Sequence, residues 1–232
     1  MIDIHCHALF GVDDGSQSYE ESVEMLKEAK SQGIEAVILT PHYRHGMFAY
    51  PQEQIEENFA RLQKAGEQMG MALYLGCEFH VNSQICEAFS TGRCHRLADK
   101  RYVLTEYSHV TEYPYIVQMT RDVIMHGYIP VIAHVERYGC LAEDPERVAA
   151  LREMGAWIQV NADAVLGMEG RGPKKFCKIL LQEGWVDVVA SDSHGIRNRA
   201  CHMRKCYDYI GKKYGADYAA QLMCDNPAEI LR

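Results

Sequence analysis

No stretch of this 232-residue chain is both apolar and long enough to span a bilayer, so a membrane-crossing helix is not an organising element. A basic run is missing as well. The 24 Lys and Arg stand against 32 Asp and Glu, a formal charge of −8 that opposes general nucleic-acid binding, which rests on neutralising many phosphates. The nine cysteines are scattered, odd in number and without a Cys-x-x-Cys pair, which excludes a disulfide framework and fits free thiols in a reducing cytosol. None is followed six positions later by arginine, the spacing that lets a thiolate and a guanidinium share one phosphate; Cys94 meets Lys100 there. Linkers and low-complexity tracts are absent. The opening Met1-Ile2-Asp3-Ile4-His5 leaves no room for a signal peptide and predicts a cytoplasmic protein.

What the chain has is a regular alternation. Seven short apolar segments read as buried strands: 2–5, 35–40, 71–77, 102–105, 129–133, 157–160 and 186–190. Helical spacing falls between them. Ser18 followed by Glu21 has capping-box spacing, and Tyr19, Val23, Leu26 and Ala29 share a face ending at Gly33. Pro51 suits a first turn ahead of Ile55, Phe59, Leu62 and Met69. Further helices are expected at 115–125, 144–154 and 174–182, and from about Arg199 onward. Strands separated by helices demand parallel pairing with right-handed crossovers, and seven of them predict an α/β barrel occupying 1–232 as one domain. A doubly wound open sheet is the alternative, but it concentrates its site at one switch point.

Here metal-ligating residues follow nearly every strand. The strand ends deliver His5 and His7, His42, Glu78, Glu106, His134, then Asp192 and His194, with Asp14 on the first loop; the sixth end offers Asn161. Any one of these alone reads as a core histidine or a surface acid. Nine at one structural address read as a site for more than one divalent cation. The period of a strand turns His5 and His7 to one side and Cys6 to the other, and does the same for Asp192 and His194 around Ser193. Clustered cations lower the pKa of a bridging water and neutralise phosphoryl oxygens, which makes phosphate-ester hydrolysis natural chemistry. Arg137 and Arg199, each just past a ligand-bearing strand, supply guanidinium forks for phosphate. Glu136 is read as a structural partner.

The motifs Ile2-Asp3-Ile4-His5-Cys6-His7, Val12-Asp13-Asp14-Gly15, Thr40-Pro41-His42, Gly76-Cys77-Glu78, Ala133-His134-Val135-Glu136-Arg137-Tyr138 and Ser191-Asp192-Ser193-His194 resemble the polymerase-and-histidinol-phosphatase (PHP) superfamily. More narrowly, they resemble the bacterial tyrosine-protein phosphatases of capsule and exopolysaccharide operons. The resemblance implies a distorted seven-stranded (β/α)7 TIM-like barrel with three divalent metal ions, commonly manganese, with iron, zinc or magnesium as alternatives. Its implied substrate is phosphotyrosine on a partner bacterial tyrosine kinase. By matching motif, His5, His7, Glu78 and Asp192 would hold one ion. Glu78, Glu106 and His134 would hold a second, and Asp14, His42 and His194 a third. Arg137 and Arg199 match phosphate-contacting arginines, although the segment after His194 departs from the pattern. The loop carrying Tyr43, Arg44, His45 and Phe48 is a candidate phosphotyrosine entrance.

Three other readings are open. Histidinol-phosphate phosphatase would use the same metals on a smaller ester. A metal-dependent amidohydrolase also begins with His-x-His but wants lysine where this chain has Glu106. A non-catalytic metal-binding regulatory domain would bind ions without turnover. His80, His95, His109, His126 and His202 carry no functional expectation, and the oligomeric state is left open.

Overall fold

In the computed structural model, which describes residues 1–48 and 50–232, strands and helices alternate along the chain. β1 (Ile2–Cys6) leads through a polar loop to α1 (Tyr19–Ser31), and β2 (Ala36–Leu39) and β3 (His42–Tyr43) precede α2 (Gln52–Gln68). β4 (Ala72–Leu75) and β5 (Glu78–His80) precede α3 (Ile85–Ser90). Next come β6 (Tyr102–Glu106), α4 (Tyr113–Met125), β7 (Ile129–Ile132), α5 (Gly139–Ala142) and α6 (Glu146–Glu153). They are followed by β8 (Trp157–Asn161), α7 (Ala162–Leu166), α8 (Arg171–Glu183) and β9 (Val188–Ala190). α9 (Met203–Tyr214), α10 (Ala216–Ala220) and α11 (Asn226–Ile230) close the chain.

Every pairing between these strands is parallel, in the orders β1-β2-β4 and β3-β5-β6-β7-β8-β9. The second and third strands expected from the sequence are each divided. Thr40-Pro41 separates β2 from β3, and Gly76-Cys77 separates β4 from β5. Pro41 has no N–H to give a ladder. Gly76 lies where the backbones close in, since a Cβ there would be 3.0 Å from both Ile38 Cγ2 and Leu97 Cδ2. At these breaks the chain changes sheet, so β2 and β4 pair beside β1 while β3 and β5 pair beside β6. The first and last strands also meet. Asp192 N donates to His5 O and His7 N donates to Ser193 O, both at 2.9 Å. Buried Asp3 fastens the junction by accepting from Ser191 N at 3.0 Å and Ser191 Oγ at 2.5 Å.

Neighbouring residues on a strand serve different layers. Leu104, Val131 and Val188 pack with Ile4, Ile38 and Ile230 in a small cluster. Val103, Ile132 and Val189 pack outward with Leu26, Ile55, Ile116, Leu180 and other helix residues in a larger one. Each such side chain, fully buried, stabilises the fold by about 1.5–3 kcal/mol relative to exposure. Ile230 of α11 covers one end of the inner cluster, leaving the opposite end to polar groups.

Ser18 caps α1 as expected, accepting from Glu21 N at 3.2 Å, but the Glu21 carboxylate reaches Gln17 N at 2.9 Å, one residue before the cap. α3 and α7, of six and five residues, have too few turns to show a period in sequence. Among the described residues no helix is long and apolar enough to cross a membrane.

Candidate metal centre

The fold draws the nine ligand candidates into one cluster. His5 Nε2 and His7 Nε2 lie 3.1 Å apart at the end of β1. His42 and Glu78 are direct partners across β3 and β5, with His42 Nδ1 3.1 Å from Glu78 Oε2. Glu78 Oε2 is also 3.2 Å from His5 Nε2 and 3.1 Å from His7 Nε2. Its Oε1 lies 2.8 Å from His134 Nε2. Glu106, the last residue of β6, is 4.0 Å from His42. Beyond β9, Asp192 Oδ1 lies 3.4 Å from His5 Nε2 and 3.6 Å from His194 Nδ1. Asp14 Oδ1 completes the cluster, 3.5 Å from His42 Nε2 and 3.6 Å from His194 Nε2. Gly15 makes that approach feasible, because any Cβ there would collide with the His7 carbonyl oxygen.

These atoms crowd together without satisfying one another. His42 Nδ1, Glu78 Oε2, Glu106 Oε2, Asp192 Oδ1 and His194 Nε2 are all buried and make no hydrogen bond. An unsatisfied buried polar atom costs about 1–3 kcal/mol, so five of them aimed at a shared space fit a group that accepts lone pairs. The far sides of the rings are occupied. His5 Nδ1 meets Gln159 Oε1 at 3.1 Å, His7 Nδ1 meets Asp13 Oδ2 at 2.8 Å, and His194 Nδ1 meets the Asp192 carbonyl at 2.9 Å. All three partners accept, so in the neutral ring each Nδ1 carries the proton and each Nε2 is left to present a lone pair inward. The donor set of imidazole and carboxylate suits Mn²⁺, Fe²⁺ or Zn²⁺.

Asp192 shows how one carboxylate is divided between two tasks. Its Oδ2 takes Asn161 Nδ2, Arg137 Nη1 and Arg199 Nη2, each at 2.9 Å, while Oδ1 faces the histidines. Arg137 is itself held by a two-point fork on Glu169, with Nε to Oε2 and Nη2 to Oε1 both at 3.2 Å. Burial opposes its charge, yet Asp192, Glu169 and Glu136 raise its pKa above the ordinary arginine value. Asp192 (φ 51°) and His134 (φ 33°) both occupy the left-handed region, a strain of about 1–3 kcal/mol each that non-glycine residues carry where position matters.

The electrostatics show a deficit of positive charge. Burial would raise Glu78 and Asp192, but His5 and His42 around the first, and His5, Arg137 and Arg199 around the second, hold both well below the carboxylate range. Glu106 is pushed up to about 8 by burial and then by Glu78, which outweigh the lowering pull of Arg44, His5 and His7. His42 is pushed down to about 4, chiefly by burial. A carboxyl forced toward neutrality beside ionised ones marks a place where a cation's charge would be accommodated.

The grouping differs in detail from that implied by motif. His5, His7, Glu78 and Asp192 form one set whose ligand atoms lie within 4.8 Å of one another. His42, rather than His134, completes the set with Glu78 and Glu106, and His7 joins Asp14, His42 and His194. His134 lies outside these sets and bonds to Glu78. The cause is the closeness of β3 to β5, which brings His42 to Glu78. Sequence reasoning gave no role to Asp13, Gln159 or Glu169. Asp13 stood inside the Val12-Asp13-Asp14-Gly15 motif, and a polar Gln159 within an apolar strand was a signal passed over. In the second loop Phe48 stacks on His42, ring centres 5.1 Å apart and planes 5° from parallel, while Tyr43 stacks on Phe79 at 4.6 Å. His45 is exposed on that loop, and Arg44 is half-buried. Glu136 is buried, accepting from Asn161 N at 2.9 Å, and so serves β8 rather than the cluster.

Comparison with known proteins follows the same lines. A tyrosine-protein phosphatase CpsB of Streptococcus pneumoniae is 38% identical over 238 residues, covering 100% of this chain and 98% of that protein. The tyrosine-protein phosphatase YwqE of Bacillus subtilis is 31% identical, covering 100% and 92%. A solved structure described as YwqE from Bacillus subtilis and CpsB from Streptococcus pneumoniae, metal-dependent tyrosine phosphatases, superposes with a TM-score of 0.93 at 31% identity, over 100% of this chain and 94% of the other. An organophosphorus hydrolase of Deinococcus radiodurans shares the fold, with a TM-score of 0.68 at 14% identity over 100% of this chain and 92% of that one. Residues 1–232 match the model of the family described as capsular polysaccharide synthesis, CpsB/CapC, and the chain belongs to that family.

Proposed function

We propose that this chain is a metal-dependent protein-tyrosine phosphatase, a single catalytic domain over 1–232 that hydrolyses phosphotyrosine on a protein. Its physiological substrate is a bacterial tyrosine kinase of capsule or exopolysaccharide synthesis, and it works in the cytoplasm. His5, His7, Asp14, His42, Glu78, Glu106, His134, Asp192 and His194 hold three divalent cations, manganese in the first instance. The observation that carries this reading is the set of five buried, unbonded ligand atoms around one space, in a chain whose relatives are named tyrosine-protein phosphatases.

Bound there, divalent cations acidify water to give a nucleophile near neutral pH and neutralise charge developing on the phosphoryl group. The chain's own part is placement. Asp13, Gln159 and the Asp192 carbonyl fix the tautomers of His7, His5 and His194. Glu169 and Asp192 hold the Arg137 guanidinium at the edge of the cluster, where its remaining N–H bonds can meet phosphate oxygens. Arg199, 43% exposed, reaches the same Asp192 oxygen from the solvent side and closes over the phosphate there. Phe48 on His42 gives the substrate's aromatic ring an apolar wall.

The test compares turnover of a phosphotyrosine peptide, histidinol phosphate and a mononucleotide, with Mn²⁺ and after chelation. The expected result is metal-dependent preference for the peptide. Undiminished turnover by metal-stripped protein would sink the mechanism, and a wide preference for histidinol phosphate would sink the substrate.

A further inference from the structure

Large apolar side chains are unevenly placed on this surface. Among the described residues the well-exposed ones are Met47, Val110, Tyr115, Met125, Met168 and Ile196. Four of them follow the carboxyl end of a strand: Met47 after β3, Val110 after β6, Met168 past β8 between α7 and α8, and Ile196 two residues beyond His194. Tyr115, in the first turn of α4, lies at the same end; Met125, the last residue of α4, lies at the other. Solitary surface hydrophobics are ordinary, but here five of the six stand at the end of the fold that carries the ligand-bearing strand ends.

Neither the fold nor a small substrate uses these side chains. Val110 is 86% exposed and Met168 51%, so neither contributes to the core. A phosphate group would be held by the buried cluster and the arginines, beneath this rim. Ile196, however, lines a cleft of about 550 Å³ that also contains Asp14, His194 and Arg197, so at Ile196 the apolar rim adjoins the site. Separate side chains on separate loops suit brief contact with a polypeptide segment rather than the continuous face, roughly 800 Å² per partner, that a stable dimer buries.

Resting on the phosphatase reading above, we propose that Met47, Val110, Met168 and Ile196 form an apolar collar that receives the polypeptide flanking the phosphotyrosine, favouring substrates with apolar neighbours. The collar acts on KM for peptides and leaves the hydrolytic step alone.

The experiment uses the manganese-loaded protein and a triple variant, Val110→Ser with Met168→Ser and Ile196→Ser, chosen because these exposed positions do not support the fold. Three substrates are compared: a phosphotyrosine peptide flanked by leucines, the same peptide flanked by serines, and p-nitrophenyl phosphate. The expected result is a KM about tenfold higher for the leucine peptide, with the other two changed by less than about twofold. Turnover of all three with KM unmoved would overturn the collar alone. A concentration-dependent dimer of the parent, dissolved in the variant, would reassign the collar to self-association and overturn it as a substrate surface. Failure of the parent to hydrolyse any of the three would remove the phosphatase reading and the collar together.

Discussion

Asp192 and Asp14 offer the same chemical group to one cluster from opposite settings. Asp192 is 2% exposed, sits just beyond β9 and has one oxygen fixed by hydrogen bonds from Asn161 and Arg199 and an ion pair with Arg137. Asp14 is 51% exposed at its side chain, sits on a loop and meets only His42 and His194 at 3.5 and 3.6 Å. The inner carboxylate is already positioned by protein donors, whereas the outer one has fewer contacts and would depend more on a bound cation to fix it. Preorganisation should therefore grade the cluster from a tight inner end to a labile outer end.

The sharpest break of that comparison is to remove each carboxylate in turn. Asp192→Ala should lower turnover by about a thousandfold, since it deletes a proposed ligand and strips Arg137 and Arg199 of their shared acceptor. Asp14→Ala should cost about ten- to a hundredfold, and much of that loss should return at higher manganese concentration. Metal content by mass spectrometry alongside steady-state rates checks both. Equal losses in the two variants, or rescue of Asp192→Ala by added manganese, would abolish the distinction.

The grading also separates what could be read in the sequence from what could not. His5 with His7 was legible because the strand period fixes which side chains face together; Asp192 and His194 also meet, but beyond β9 and with Asp192 in the left-handed region, so something other than the strand period joins them. The parallel pairing of the strands was legible because strands that alternate with helices demand it. The breaks at Pro41 and Gly76 were not foreseen, since the Gly76 break depends on how closely β4 approaches its neighbour β2. That break is also what moves His42 beside Glu78 and leaves His134 as Glu78's hydrogen-bond partner. Glu169 was out of reach for a different reason: it lies 32 positions from Arg137, and only the folded chain places a carboxylate against that guanidinium.

Proton release sharpens the contrast further. At the inner end Glu78 and Asp192 are held ionised and the raised groups are His5 and His7, where the neighbouring carboxylates outweigh a burial that would lower them. At the outer end the proton sits on Glu106, pushed up to about 8 by burial and by Glu78, while His42, at about 4, carries none near neutrality. A cation needs each ligand deprotonated, so affinity must rise with pH until the highest of these groups is ionised. For Glu106 the dependence is up to about tenfold per pH unit below about pH 8 and flat above it. Calorimetric titration of manganese in buffers of different ionisation enthalpy would measure the released protons. Glu106→Gln should remove the portion near pH 8 and keep that of the histidines; affinity indifferent to pH between about 6.5 and 8.5 would contradict the assignment.

The smallest expected effect concerns the thiols, six of which are buried like the inner carboxylates but lack their partners. Cys6 stands between His5 and His7, and its thiol hydrogen-bonds with Ser193 Oγ at 3.3 Å. Burial, reinforced by Asp3, pushes it up to about 12, so it remains a neutral thiol where Glu78 and Asp192 remain anions. The more accessible Cys86 and Cys140 are raised as well, again by burial first. A thiol without cationic stabilisation is a poor nucleophile. Alkylation of the accessible cysteines, and separately Cys6→Ala, should leave turnover per bound manganese within about twofold, because charge stabilisation rather than burial decides which group takes part. Loss of turnover in step with alkylation would show that a cysteine carries chemistry the cluster was thought to perform alone.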